Sequence, residues 1–326
     1  MRSFLRQFAK QKEFSILTML IIIAVIITMQ NSVFISAANL IDILRSNSIM
    51  GIIALGMLLV IITGGIDVSV GAMTAMVTVI IGNYMAVFGG SLITVFLLAA
   101  ISGIALGIIN GILVAKLKIP AIVVTLGMMS IFNGLTLYIT NGSWITDVPQ
   151  YFIQFGKIKI FNIPIQIYFW LGTALLTFFI LKYTFFGRGI FALGGNPEVA
   201  NRVGYKSDKL TICLWAYLGL MVGVAAVIHT SIFRQVDPNA FNGFELNVIA
   251  AVVLGGANIM GGEGSVPGTI LGVLLLAVID NGLILAWVPT FWQQIIVGSI
   301  ILIAVSYDVI QNKRKERSMM KIDLEE

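Results

Sequence analysis

Residues 50–88 read MGIIALGMLLVIITGGIDVSVGAMTAMVTVIIGNYMAVF: one apolar run ends at Ile62, a short break carries Gly64, Gly65 and Asp67, and a second apolar run extends from Val70 to Phe88. Crossing a ~30 Å hydrocarbon core takes about 20 apolar residues in a helix, and each run has that character. Working outward, comparable runs cover Phe14–Met29, Ser48–Ile62, Val70–Phe88, Leu92–Ala115 and Ile119–Ile139 in the first half. The second half adds Pro164–Tyr183, Lys209–Thr230, Leu246–Ile259, Val266–Trp287 and Thr290–Val309. The expected fold class is an all-α integral membrane protein of about ten transmembrane helices, forming a single transmembrane domain over residues 1–326.

Composition agrees. Of the 326 residues 58% are hydrophobic and 11% charged, against about 25% charged in soluble domains, which excludes a water-soluble fold. Ten spans use roughly 200 residues and leave no room for a separate soluble catalytic domain. Cys213 and His229 are each the only residue of their kind, so neither an intrachain disulfide nor a Cys/His metal cluster can form, and no metal site is expected. A sequence pI near 9.3 is in the range of nucleic-acid-binding proteins, but the Lys and Arg residues gather at helix ends instead of forming a basic face, so no nucleic-acid partner is expected.

Their placement gives the orientation. An even span count puts both termini on one side; with that side cytoplasmic, sixteen of the twenty Lys and Arg lie inside, leaving only Arg45, Lys157, Lys159 and Arg234 outside. The positive-inside rule therefore favours cytoplasmic termini. Ser36-Ala37-Ala38 superficially resembles a signal cleavage site, but the preceding apolar stretch exceeds the usual h-region, so an uncleaved first span is expected. The longest outside loop, Asn141 to Ile163, carries Trp144, Pro149 and Tyr151 and reads as an interfacial lid or shoulder.

The chain also resembles itself. Leu58 to Asp67 matches Ala251 to Asn258, and IINGILVA (Ile108 to Ala115) matches IDNGLILA (Ile279 to Ala286). The Gly-Gly to Asn-Gly separation differs by about one span between copies, so an inverted internal repeat is a candidate plan, with chance resemblance the alternative.

Catalytic signatures are missing. With one His there is no HExxH; Ser69 lacks the first glycine of a nucleophile elbow; Gly261-Gly262-Glu263-Gly264-Ser265 leads to Val266-Pro267, not to Gly-Lys-Ser/Thr, so there is no P-loop. The chain is expected to be no enzyme and to hold no cofactor. What it does carry are polar interruptions. In the first break Asp67 and Ser69 read either as caps of the following helix or as parts of a hinge or pathway, and the two are compatible. Gly255-Gly256 and Gly261-Gly262-Glu263-Gly264 form a second break with the same logic. Asn110, Asn133, Asp280 and Asn281 interrupt predicted spans and read either as helix-to-helix hydrogen-bonding groups or as lining of a polar solute route. Gly103/Gly107/Gly111, Gly219/Gly223 and Gly268/Gly272 are small-residue faces for close helix packing.

The inside segment 187–209 contains Gly194-Gly195-Asn196-Pro197-Glu198-Val199-Ala200-Asn201-Arg202-Val203-Gly204. Asn196 suits an N-cap, Pro197 the first helical position, Glu198 the positive helix end and Gly204 the stop, so a short cytoplasmic helix is expected, with Glu198 and Arg202 four apart on one face. It is either a solvated connector or a helix docked in a partner's groove.

Four segments, GGIDVSVG, GIINGILVAKLKIPAIVVTLG, GRGIFALGGNPEVANRVG and GFELNVIAAVVLGGANIMGGEGSVPGTILG, together resemble the permease subunits of bacterial ATP-binding-cassette importers for monosaccharides, over about Ser48 to Asp308. The resemblance implies a type II-like importer permease in the bacterial inner membrane that passes a sugar or sugar-like solute inward by alternating access. It implies a second permease chain, identical or homologous, an extracytoplasmic solute-binding protein, and cytoplasmic ATPase subunits that carry ATP and Mg. It also implies that residues 187–204 supply the coupling helix, with Gly195, Asn196, Pro197, Glu198 and Arg202 at the ATPase contact, and leaves Asp67, Ser69, Asn110, Asn133, Asp280 and Asn281 as pathway candidates. TNGSWITDVP (Thr140 to Pro149) and the Val288 to Asp308 ending resemble the autoinducer-2 and rhamnose types more than the ribose type, which keeps autoinducer-2 import as an alternative. The chain departs from the family pattern at Asp280, where Asn is common, and at Ala121 after Ile119-Pro120. An ion-coupled secondary transporter is the distant alternative; its usual acidic pairs are missing here, since Asp67, Glu263 and Asp280 are scattered.

Overall fold

The computed structural model describes residues 12–300 together with 302 and 306. In chain order the helices are α1 (Lys12–Gln30), α2 (Ala37–Ile62), α3 (Val70–Phe88), α4 (Leu92–Ala115), α5 (Ala121–Thr140), α6 (Gln150–Lys157), α7 (Ile165–Tyr183), α8 (Phe185–Gly195), α9 (Pro197–Arg202), α10 (Ser207–Phe233), α11 (Phe244–Leu254) and α12 (Val266–Leu285). A further helix, α13, occupies 290–300, and a two-residue hairpin pairs β1 (Lys159–Ile160) with β2 (Ile163–Pro164). Eight of the described helices, α1 to α5, α7, α10 and α12, are long and apolar enough to cross a membrane.

Two predicted spans differ. Leu246–Ile259 is the 11-residue α11, ending at Leu254; at 1.5 Å per residue it covers about 16 Å, half a bilayer. Its apolar run continues through Ala257 and Ile259, but Gly256 at φ 88° turns the chain out of the helix, with Ala257 N–H donating to the Val252 carbonyl. Thr290–Val309 begins as α13 and runs beyond the described residues. Conversely, the second span is longer than its apolar run: α2 starts at Ala37, where Ser36 Oγ accepts the Asn39 N–H at 3.3 Å, so the Ser36-Ala37-Ala38 stretch is a helix cap. The turns before Ser48 carry Asn39, Asp42, Arg45 and Asn47, which break the hydropathy signal but not the helix.

From Ser48 to Ile62 every residue of α2 is buried. A helix apolar all round belongs in the centre of a bundle, and α2 is packed by α7, α10, α11 and α12. The closest helix pair is α4 with α10. Gly103 sits against the backbone of Gly219, and Gly107 against the carbonyl of Trp215, in spaces no Cβ could enter. Gly268 and Gly272 of α12 likewise meet the carbonyls of Gly255 and Ala251. All three small-residue faces therefore serve close packing.

The ends of the bundle are fixed by polar contacts. Ser265 Oγ, at the start of α12, donates to Glu13 Oε1 of α1 at 2.8 Å, and Asn31 Nδ2 donates to the Leu285 carbonyl at the far end of the same pair, so α1 and α12 run parallel. The two internal sequence matches behave differently. Their Gly-Gly breaks lie together, joined by the Gly262 N–H on the Ile62 carbonyl, whereas the Asn-Gly segments of α4 and α12 finish at opposite ends of the bundle, α4 beside the start of α10 through Lys118–Asp208. At the other end the 141–163 loop forms a shoulder: α6 buries Phe152 and Phe155, and Ile145 pairs with Val236 as an isolated bridge.

Candidate functional site

The end of the molecule that carries α9 is built from three glycine-rich connections. Thr184 Oγ1 accepts the Gly187 N–H at 3.0 Å and starts α8. Asn196 ends α8 and begins α9: its Oδ1 accepts from the N–H groups of Glu198 (2.9 Å) and Val199 (3.1 Å), with Pro197 in the first turn. Gly204, at φ 96°, turns the chain out of α9. This is the capped helix expected from sequence. The predicted Glu198–Arg202 pair does not form among the described residues; both side chains are exposed, flanked by exposed Val199 and Val203, while Ala200 faces inward. Asn201 Oδ1 accepts from Ser207 N–H and Oγ and ties α9 to α10, Phe185 of α8 stacks on Tyr205 at 4.5 Å, and Lys118 pairs with Asp208, joining the α4–α5 loop to α10.

Behind α9 the chain is at its tightest. Gly194 has the Ile62 carbonyl and the Gly262 N–H where a Cβ would stand, and Gly262 N–H donates to Ile62 O at 2.8 Å. The α2–α3 break, the α11–α12 break and the α8–α9 joint therefore meet at one point. The space beside Gly195, the glycine singled out in sequence, is open, and the steric constraint falls on Gly194 instead.

Within the first break Asp67 Oδ1 accepts from Ser69 N–H at 2.7 Å and Ser69 Oγ at 2.6 Å, and Asn110 Nδ2 of α4 donates to Ser69 Oγ at 2.9 Å. Thr125 Oγ1 of α5 reaches the Ile66 carbonyl at 3.3 Å. Ser69 stands at the N-cap position of α3, yet its hydroxyl makes no capping bond and serves the Asp67–Asn110 relay instead. Asp67, Ser69 and Asn110 are fully buried, and Asp67 Oδ2 and Asn110 Oδ1 have no hydrogen-bond partner.

The remaining candidates separate from this cluster. Asn133 is half-buried on α5 and bonds to neither group. Asn281 exchanges two amide hydrogen bonds with Asn39, at 2.9 and 3.0 Å, joining α12 to α2. Asp280, one residue earlier, lines a cavity of about 660 Å³ between α11, α12 and α13 together with Asn242, Asn247, Thr290, Gln293 and Gln294. The last five escape a motif search; Gln293-Gln294 inside an apolar run is the signal that could have found two of them. One carboxylate among amides and a hydroxyl offers both donors and acceptors, the chemistry that recognises a neutral polyhydroxyl solute. The two regions are bridged by α11. Its Phe244 and Asn247 line the cavity, while Glu245 packs on Gly71, where a Cβ would stand 2.6 Å from Glu245 Oε2, two residues beyond Ser69.

A family model described as branched-chain amino acid transport system / permease component matches residues 39–305. The ribose import permease protein RbsC of Escherichia coli (strain K12) is 34% identical over 305 residues, covering 92% of this chain and 94% of its own. RbsC of Bacillus subtilis (strain 168) is 38% identical over 291 residues, 89% and 90% of the two chains. The autoinducer 2 import system permease protein LsrC of Salmonella choleraesuis (strain SC-B67) is 36% identical over 278 residues, 85% and 80%. Identity does not separate the ribose type from the autoinducer-2 type. No solved structure matches the chain.

Proposed function

The chain belongs to the permease-component family of branched-chain amino acid transport systems, and from that premise we propose that it is the membrane-spanning subunit of an ATP-binding-cassette importer that carries a sugar or sugar-like solute into the cytoplasm by alternating access. Its relatives are named for ribose and autoinducer-2 import. On this reading it is a multi-pass inner-membrane protein with both termini cytoplasmic. A second permease chain completes the pathway, a solute-binding protein delivers cargo outside, and ATP and Mg are handled by cytoplasmic partner chains docked on α9.

The observation that carries this reading is the junction of Gly194, Ile62 and Gly262. A partner that moves α9 moves α8 through the shared cap Asn196, and Gly194 then bears on both helix breaks. From there α3 and α11 lead to the cavity lined by Asp280. Solute enters that cavity, is held by a few polar side chains and leaves once the spans shift, which requires weak contacts in every state.

Solute-stimulated ATP hydrolysis and uptake by the reconstituted complex, with Glu198→Ala and Arg202→Ala in α9, test the proposal. Loss of stimulation with intact assembly is expected. Unchanged coupling in both variants would remove α9 from the docking role, and uptake driven by an ion gradient without any ATPase would overturn the importer reading.

A further inference from the structure

Arg45, Lys157, Lys159 and Arg234, the four basic residues that the positive-inside count leaves on the disfavoured side, are scattered in sequence yet line one cavity of about 250 Å³ at the end of the bundle away from α9. Asp42 shares the cavity, leaving three cations in excess. Among the described residues none of the four makes an ion pair, and Arg45 Nε is buried with no hydrogen-bond partner. Local structure accounts for two of them: Lys157 stands in the last turn of α6 and Arg234 caps the end of α10, where a cation meets the negative end of a helix. Arg45 within α2 and Lys159 in β1 have no such reason. Arg45 lines the cavity with no carboxylate paired to it, and a guanidinium held without a counter-charge costs free energy, so the cavity is where an anion would be placed.

Depth and surroundings indicate its source. Pro164 at the start of α7 and Arg234 at the end of α10 both line the cavity, which therefore lies at the level of helix ends, where phospholipid headgroups sit. Beside Lys159 the hairpin tip presents Phe161, 92% exposed. Water alone is poor solvent for that ring, whereas the membrane interface accepts aromatic side chains next to basic ones.

We propose that this cavity holds the phosphate of an anionic phospholipid headgroup, with Arg45 as its principal donor. A planar guanidinium offers paired N–H groups that match phosphate oxygens. Lys157, Lys159 and Arg234 supply the remaining positive field, and Asp42 repels a second anionic group while accepting from a headgroup hydroxyl.

Native mass spectrometry of the full chain, released from vesicles of equal phosphatidylglycerol and phosphatidylcholine, tests this. The wild type is expected to retain phosphatidylglycerol selectively, Arg45→Gln to lower that retention about fivefold, and Arg45→Lys to restore part of it. Lys118→Gln removes the same charge at the opposite end and is expected to change nothing. Should Arg45→Gln fold poorly, Arg234→Gln on the exposed rim gives the same readout. Equal losses in the Arg45 and Lys118 variants, or no loss in either rim or base variant, would overturn the proposal. So would displacement of the lipid by inorganic phosphate with no lipid preference, or Arg45-dependent crosslinking to a solute-binding protein with lipid retention unchanged.

Discussion

Gly194 of α8 lies against the backbone carbonyl of Ile62, the last residue of α2, in a space that admits no Cβ, and that same carbonyl accepts the Gly262 N–H at 2.8 Å. Three connections that are remote in sequence thus share one oxygen atom. Any displacement of α8 must be passed to both helix breaks or break this junction.

Gly194→Ala is therefore expected to force the joint apart, at about 1–3 kcal/mol of stability for overpacking a closed contact, and to reduce solute uptake. Gly195→Ala is the control. Its neighbourhood is open and its φ is not positive, so alanine is tolerated, or stabilises by about 0.5–1 kcal/mol at the end of a helix. Thermal melts on the two variants check the contrast, since Gly195 lies at the proposed ATPase contact and serves as a control for stability alone; equal melting would sink the junction's role.

The contrast also shows where sequence information stops. The cap at Asn196 and the break at Gly64-Gly65 were legible because each depends on neighbours within a few residues: an amide reaching Glu198 and Val199, a glycine at φ +77° ending an apolar run. Gly194 and Gly195 are indistinguishable in that view, since only the arrival of Ile62 and Gly262 makes one of them irreplaceable. Hydropathy likewise overran the end of α11, because Gly256 at φ +88° turns the chain out of the helix and the Ala257 N–H closes back on the Val252 carbonyl, with no change in polarity. The sequence leaves Ser69 open between a cap and a hinge or pathway element for the same reason: the Ser69 hydroxyl donates to Asp67 nearby and accepts from Asn110, 41 residues on.

Asn196→Ala removes the acceptor of two N–H groups at the start of α9 and is expected to cost about 0.5–2 kcal/mol locally. α9 has six residues, too few to hold together without its cap. Hydrogen exchange at the amides of Glu198 and Val199 should accelerate in the alanine variant and recover in Asn196→Asp, whose carboxylate keeps the acceptor.

Asp67→Ala leaves the buried Ser69 N–H and hydroxyl without their acceptor, which is expected to destabilise the chain by about 1–3 kcal/mol. Asp67→Asn retains one side-chain oxygen to accept both bonds and should be milder. Because Asn110 acts on Asp67 through Ser69, the Asp67→Ala and Asn110→Ala effects should be non-additive in a double-mutant cycle, with a coupling of about 0.5 kcal/mol or more. Strict additivity in thermal or denaturant unfolding would mean that the relay does not work as a unit.

Asp280 and Asn281 are neighbours on α12 with different surroundings, and their variants should separate accordingly. Asn281 spends its amide on Asn39, giving and receiving one hydrogen bond across to α2. Asn281→Ala leaves the half-buried Asn39 Oδ1 without its donor, while Asn39 Nδ2 keeps the Phe34 carbonyl, and is expected to lower stability by about 1 kcal/mol while leaving solute affinity near the wild-type value. Asp280 contributes its carboxylate to the wall of the 660 Å³ cavity and makes no hydrogen bond among the described residues. Asp280→Asn keeps the shape and removes the charge, so its melting temperature should stay unchanged or rise as a desolvated charge is lost. If the cavity is the solute's entry, the same substitution alters the KM of uptake, with an acceptor turned into a partial donor. A variant pair in which Asn281→Ala changes KM and Asp280→Asn changes only stability would reverse the assignment and place the pathway on the α2 side of α12.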